Sequence, residues 1–189
     1  KFVADMLNDI GIKAKLVDVV DNNNIDKEVT QYKPTHVVIE ALWVTPEKFN
    51  ILQRLHPKVK WIVRLHSELP FLSNEGVAME WLFKYLKFKN VTIASNSTKS
   101  VSDLSRILKT NVLYLPNYYP INQFKTNDQI CKNHINIGCF GAIRPLKNQF
   151  IQAVSAIEFG NSLDKNIHFH INANRSIFPS LPAIPEWDL

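Results

Sequence analysis

Residues with the chemistry of a phosphate site lie close together in the segment GCFGAIRPLKN, residues 138–148. Gly141 follows an apolar run and can adopt the positive φ that lets a ligand approach the backbone. Arg144 and Lys147 bring two positive charges, and Asn148 stands where a helical pattern begins. The first N–H groups and the dipole of such a helix favour an anion. The segment predicts a diphosphate site, and an ordinary solvated turn is the alternative.

A second set of polar residues follows the apolar strand patterns of the first 120 residues. In open parallel sheets, ligands bind at the carboxyl ends of the strands. We therefore interpret the polar residues at these ends as candidate ligand-site residues: Glu40, His66, Ser67, Glu68, Asn96 and Asn117. The loop HSELPFLSNEG, residues 66–76, either closes over an acceptor or caps the sheet edge.

Other conspicuous residues favour structural roles. His168 and His170 point to the same side of one strand, but no third ligand is evident, so we expect no metal. Trp43, Trp61 and Trp81 fall in strand and helix patterns that indicate the core rather than a base-stacking platform.

Apolar periodicity alternates along the chain between strand and helix. Predicted strands cover residues 13–20, 35–42, 59–66, 90–95, 111–116, 134–142 and 165–174, and predicted helices cover 2–10, 25–32, 45–55, 75–88, 97–109 and 147–160. Thr45 and Pro46 are a typical helix start. Alternating apolar strands and amphipathic helices predict an α/β protein with parallel sheets covered on both faces.

The polar segment after residue 120 interrupts this alternation and indicates a linker. We predict two Rossmann-like domains, one over residues 1–120 and a partial one over 133–189, joined by a linker over 121–132. We expect a first strand before Lys1 and hence a longer protein.

The composition of the chain limits the classes of partner and the compartment that we expect. The chain has 189 residues and a net charge of +5, which suits a polyanionic ligand, although its lysines are dispersed. No apolar run is long enough for a membrane span. Cys131 and Cys139 fit neither a disulfide framework nor a zinc motif, so a cytoplasmic protein is expected, with Cys139 buried in a strand.

Two segments resemble retaining glycosyltransferases of the GT-B fold, in the "glycosyl transferases group 1" family. INIGCFGAIRPLKNQFIQAVSAI, residues 135–157, is similar to the start of that family's second domain, with Gly141 and Lys147 at the family spacing. Ala142 stands where the family has its arginine, and Arg144 follows two residues later. YLPNYYPINQF, residues 114–124, resembles the interdomain signature through its proline, asparagine and phenylalanine, whereas Tyr118 replaces the usual glycine. The chain also looks similar to short GT-B-like phage proteins.

The resemblance implies metal-independent transfer of a hexosyl or pentosyl group from a nucleotide sugar, which is a substrate rather than a cofactor. It implies that the first domain is the acceptor side, with Glu40, Ser67, Glu68 and Asn96, and that the second domain binds the nucleotide sugar. It also implies that Gly141, Asn148 and Asn117 bind the donor, that the catalytic Arg144 and Lys147 stabilise the leaving diphosphate, and that the catalytic His66 lines the active site. The acceptor stays open among a glycan, a protein and modified DNA. A nucleotide-sugar 2-epimerase and a non-catalytic, nucleic-acid-binding protein are the alternative functions.

Overall fold

The computed structural model describes residues 1–74, 76–121, 134–140 and 148–172. These residues form two compact units, one within Lys1–Phe124 and one within Lys125–Leu189. The α/β fold class is confirmed, since a parallel four-stranded sheet with helices is compatible with a Rossmann-like fold. The division into two Rossmann-like domains, the second only partly present, with a linker over 121–132 stays a prediction.

The first unit contains a parallel sheet whose strands lie in chain order, β1-β2-β3-β4. The strands are β1 (His36–Glu40), β2 (Lys60–Leu65), β3 (Val91–Ser95) and β4 (Leu113–Tyr114). The helices are α1 (Phe2–Asp9), α2 (Asn24–Tyr32), α3 (Pro46–Leu55), α4 (Leu69–Leu72), α5 (Ala78–Tyr85) and α6 (Thr98–Leu108).

Local sequence signals set the helix ends. The Thr45 hydroxyl accepts a hydrogen bond from the Lys48 backbone N–H at 3.2 Å, with Pro46 in the first turn, so the predicted start of α3 is confirmed. Ser97 caps α6 in the same way through Ser100 N–H. Lys33, in the left-handed region at φ 51°, ends α2 just before Pro34.

The core of this unit lies on one face of the sheet. Trp61, Val63 and Leu65 alternate along β2 and are buried. Phe49 of α3 packs edge-to-face against Trp61 at 5.8 Å and against Tyr85 at 5.2 Å. Buried residues from α2 to α6 belong to this same core: Ile25, Val29, Phe49, Leu52, Leu72, Ala78, Leu82, Tyr85, Leu104 and Leu108.

The opposite face of the sheet is only partly covered by the described residues. When parallel strands follow one another in chain order, right-handed crossovers place every connecting helix on the same side. Val38 of β1 is accordingly 47% exposed, and Ile62 and Thr92 are half-buried. The expectation of two covered faces is thus met on one face in the part of the chain that the structure describes.

One predicted strand is wrong. Residues 13–20 form no strand because no described strand pairs with them, and most of their side chains are exposed. The segment is held instead by the paired hydrogen bonds of Asn8 with Ala14 and by the ion pair of Lys15 with Glu28. The predicted helix over 75–88 is also shorter, since only Ala78–Tyr85 is α-helical.

The second unit contains one parallel β-α-β arrangement: β5 (His134–Phe140), α7 (Gln149–Ser162) and β6 (Asn166–Asn172). Gly160 of α7 allows close packing on β6, because a Cβ there would lie 2.4 Å from Ile167 Cγ1. Cys139 is buried, as predicted, whereas Cys131 lies outside the described residues. Across the described ranges, no helix has both the length and the apolar character needed to cross a membrane.

Candidate functional site

The candidate site lies at the carboxyl-end edge of the four-stranded sheet. The register pairs Glu40 with Arg64 and Leu65 with Ser95, so the first three strands end at nearly the same level. This alignment is what brings residues distant in the chain to one edge, as the parallel sheet predicted.

Glu40 and His66 form the exposed part of the site. Glu40 Oε2 lies 2.5 Å from His66 Nε2 and 2.9 Å from Arg64 Nη1. Arg64 Nη1 also lies 3.3 Å from His66 Nδ1. Because a guanidinium can only donate, His66 Nδ1 accepts the hydrogen bond from Arg64, and His66 Nε2 faces the Glu40 carboxylate. The side chains of His66 and Glu40 are 42% and 54% exposed, so a ligand can reach both.

Arg64 is the buried centre of the site, with a side chain that is only 10% exposed. Its Nε donates to the Leu115 carbonyl at 2.8 Å, and its Nη2 donates to Asn117 Oδ1 at 2.6 Å. Asn117 Nδ2 in turn donates to the Tyr119 hydroxyl at 3.1 Å. Arg64 therefore joins β1 and β2 to the segment that follows β4.

Sequence reasoning missed Arg64 as a site residue. The signal was present, since an arginine inside the apolar strand pattern KWIVRL must find acceptors when it is buried. Asn117, by contrast, was selected from the sequence, and its Oδ1 accepts a hydrogen bond from Arg64.

The loop after β1 forms one wall of a pocket beside this cluster. Ala41 adopts the left-handed conformation at φ 68°, and its N–H donates to the Arg64 carbonyl at 2.8 Å. Such a conformation is uncommon for a residue with a Cβ and is often found at functional sites. The turn directs the chain away from the sheet directly after Glu40.

Trp43, expected in the core, is 70% exposed, so that prediction is wrong. Its backbone lies beyond the end of β1, where the sheet no longer holds alternate side chains toward the core. Trp61 is fully buried as predicted, and Trp81 is half-buried against the core.

Two hydrogen bonds hold the loop in place. Asn22 Nδ2 donates to the Trp43 carbonyl at 3.1 Å, and the Tyr85 hydroxyl donates to the Val44 carbonyl at 2.5 Å. Burial raises the pKa of Tyr85, and the negative charge of Glu47 adds to this effect, so the hydroxyl remains a donor. The pocket has a volume of about 280 Å³ and is lined by Ala41, Leu42, Trp43, Leu65, His66, Ser67 and Leu72.

The remaining predicted edge residues lie around this pocket. Ser67 lines it, and Leu72 of the short helix α4 contributes apolar surface to its lining. Glu68 is not paired with Glu40; its carboxylate accepts from the Ser97 hydroxyl at 3.5 Å and lies 4.0 Å from Lys99 Nζ. Asn96 contributes a backbone hydrogen bond to the Leu65 carbonyl at the end of the sheet.

The predicted phosphate residues belong to the second unit. Gly141, Arg144 and Lys147 lie outside the described residues. Asn148 immediately precedes α7 in a left-handed conformation at φ 51°, its carbonyl accepts from Gln152 N–H, and its side chain makes no capping hydrogen bond. The side-chain amide of Asn148 therefore does not cap α7.

The histidines of the second unit do not form a metal site among the described residues, where no group of three His, Cys, Asp or Glu side chains has suitable geometry. The ring of His168 stacks on that of His134 with centroids 4.1 Å apart. His170 Nε2 lies 2.9 Å from Asn136 Oδ1 across the two strands.

Comparison of the chain with models of known protein families and with curated proteins found no match.

Proposed function

We propose that this protein is a glycosyltransferase that moves a sugar from a nucleotide-activated donor to an acceptor hydroxyl, with retention and without a metal. The observation that supports this most is the Glu40–Arg64–His66–Asn117 cluster. Several of its members were selected from the sequence as separate strand-end residues, and they contact one another at the edge where parallel sheets bind ligands.

The cluster is suited to binding sugar hydroxyls. Glu40 Oε2 is occupied by Arg64 and His66, whereas its other oxygen has no hydrogen-bond partner within the described ranges. A carboxylate oxygen of this kind accepts strong hydrogen bonds from hydroxyl groups. Arg64, fixed by three oxygen acceptors, holds the carboxylate in one position, so little ordering is needed when the sugar binds.

In the transfer step, the bond between the anomeric carbon and the diphosphate oxygen breaks, and its electron pair leaves with the diphosphate. The acceptor oxygen forms the new bond to that carbon. Retention in a single step without a protein nucleophile requires the acceptor to approach the face from which the diphosphate departs, so a diphosphate oxygen takes the acceptor's proton. Negative charge on the diphosphate grows in this step, and Arg144, Lys147 and the N–H groups near Asn148 are the proposed groups that stabilise it.

The test is nucleoside-diphosphate release from a panel of nucleoside-diphosphate sugars, with wild type compared with Glu40→Gln. Loss of a hydrogen bond to a charged group should lower turnover about 10- to 100-fold. Glu80→Gln is the matched control, because Glu80 is also exposed and ion-paired, with Lys84 of its own helix at 2.6 Å. Equal turnover in Glu40→Gln and wild type, or no turnover of any donor by wild type, would contradict the proposal.

The donor side has its own test. Nucleoside diphosphates are titrated into wild type and into an Arg144→Ala/Lys147→Ala variant, and a weaker affinity is expected in the variant. Equal affinity in both proteins would contradict the proposal that Arg144 and Lys147 bind the diphosphate of the donor.

A further inference from the structure

The pocket beside the Glu40–His66 pair combines one exposed aromatic ring with apolar walls and few polar groups. Trp43 presents its indole to the solvent at the pocket, and Leu42, Leu65 and Leu72 line the walls. His66 and Ser67 supply the polar atoms. This is the composition of a small-molecule site, in which apolar surface gives affinity and a few polar groups fix orientation.

The exposure of Trp43 is built into the fold. The left-handed Ala41 turns the chain out of the sheet, and the hydrogen bonds of Asn22 and Tyr85 to the Trp43 and Val44 carbonyls fix the loop on both sides. A large exposed indole held on an ordered backbone loses little conformational entropy when a ligand packs on it.

The size of the pocket limits its occupant. Its volume of about 280 Å³ is close to the lower end of the range of small-molecule sites, which is about 300–1,000 Å³. A single ring fits such a volume, whereas a folded protein surface or a stretch of duplex does not enter it.

The charges at the pocket select a neutral ligand. The seven lining residues, all in the described part of the chain, include neither lysine nor arginine. Glu40 contacts the lining residue His66, and Glu68 follows the lining residue Ser67 in the chain. The charge of Arg64 is already directed at Glu40 and at the Leu115 and Asn117 oxygens. A polyanionic strand, whose affinity depends on phosphate contacts to lysine and arginine, is therefore disfavoured.

We propose that this pocket binds the acceptor, and that the acceptor is a neutral carbohydrate whose less polar ring face packs on Trp43 while its hydroxyls contact His66, Ser67 and Glu40. The identification of this carbohydrate as the acceptor depends on the proposed glycosyl transfer. The binding site itself does not depend on transfer, so the two can fail separately.

The experiment is saturation-transfer NMR on the full chain without any donor, using methyl α-glucoside, methyl β-galactoside and methyl α-mannoside as probes. Trp43→Ala should weaken binding of at least one glycoside about tenfold, because the stacking surface is lost. Phe83→Ala is the matched control, since Phe83 is an exposed aromatic residue of α5 that does not line the pocket. The backbone carbonyl that Asn22 contacts is kept in Trp43→Ala, so the loop retains its support.

A single-stranded oligodeoxynucleotide and a Ser/Thr-containing peptide are tested in parallel. Trp43-dependent binding of either one without glycoside binding would overturn the proposal in favour of that acceptor class. Glycoside binding that is equal in all three proteins, or absent from wild type, would overturn it outright. Trp43-dependent glycoside binding in a protein that turns over no nucleotide sugar would keep the carbohydrate site and refute only the transferase.

Discussion

Arg64→Met tests whether the buried arginine organises the candidate site. The substitution keeps a long apolar side chain in β2 and removes the guanidinium that donates to Leu115, Asn117 and Glu40. Replacing a buried ion pair by apolar residues on both sides is often neutral, but here the partners remain and lose their donor.

The magnitude follows from the three contacts. The half-buried Leu115 carbonyl loses a hydrogen bond from a charged donor, which contributes about 1.5 kcal/mol at the lower end of the usual range. Glu40 and Asn117 are exposed, so water replaces the guanidinium there and these contacts add little. We expect the free energy of unfolding of the first unit to fall by about 1.5 kcal/mol.

The assay is urea unfolding followed by circular dichroism and tryptophan fluorescence, with the change in midpoint converted through the slope. Arg54→Met is the matched control, because Arg54 is an exposed arginine that, within the described part of the chain, donates only to the Asn50 carbonyl of its own helix. Arg54→Met should cost less than about 0.5 kcal/mol. An Arg64→Met cost no larger than that of Arg54→Met would refute the organising role.

A double-mutant cycle measures the energetic coupling between Arg64 and Asn117. If Arg64 acts through Asn117, then Arg64→Met and Asn117→Ala should be non-additive by about 0.5 kcal/mol or more. Additive costs would show that the two residues stabilise the unit independently.

Two further predictions concern the loop beside the pocket. Tyr85→Phe should flatten the alkaline loss of stability: the folded pKa of Tyr85 is raised, so its stabilising contribution is complete below about pH 10 and is lost as the pH rises further. Urea unfolding at pH 8 and at pH 11 measures this, and an identical pH dependence in wild type and variant would contradict it. Ala41→Gly should be neutral or raise stability by up to about 1 kcal/mol, because glycine adopts the left-handed conformation without the steric cost of a Cβ. A lower melting temperature in calorimetry would show that the conformation at residue 41 is not strained.

Sequence patterns predicted the local structure well. Thr45 and Pro46 predicted the start of α3, and the apolar runs of β1, β2 and β3 were found close to their expected bounds. These features depend on neighbours in the chain, which periodicity and capping preferences describe directly. The strand predicted over residues 13–20 was wrong because a strand needs a partner, and pairing is not visible in the strand's own residues.

The sequence indicated which residues lie at one sheet edge but not how they contact one another. The rule for parallel sheets selected Glu40, His66 and Asn117, and these residues do lie together at that edge. The hydrogen bonds among them depend on the register of β1 with β2 and on the position of the chain after β4. The role of Arg64 and the exposure of Trp43 were missed for the same reason. The central position of Arg64 and the exposed position of Trp43 both depend on contacts between segments that are distant in the chain.

The order of the strands has a consequence for how the first unit folds. Each strand pairs with the one before it in the chain, so every crossover closes a loop of similar, moderate length. The entropic cost of closing a loop grows only slowly with its length, and each strand of this sheet pairs with the strand that precedes it in the chain. The unit can therefore assemble by adding one strand and one helix at a time, with a lower contact order than a doubly wound sheet whose strand order reverses. We expect β2 and β3, which carry the most buried residues, to form the early part of that sequence, with the short strand β4 added late.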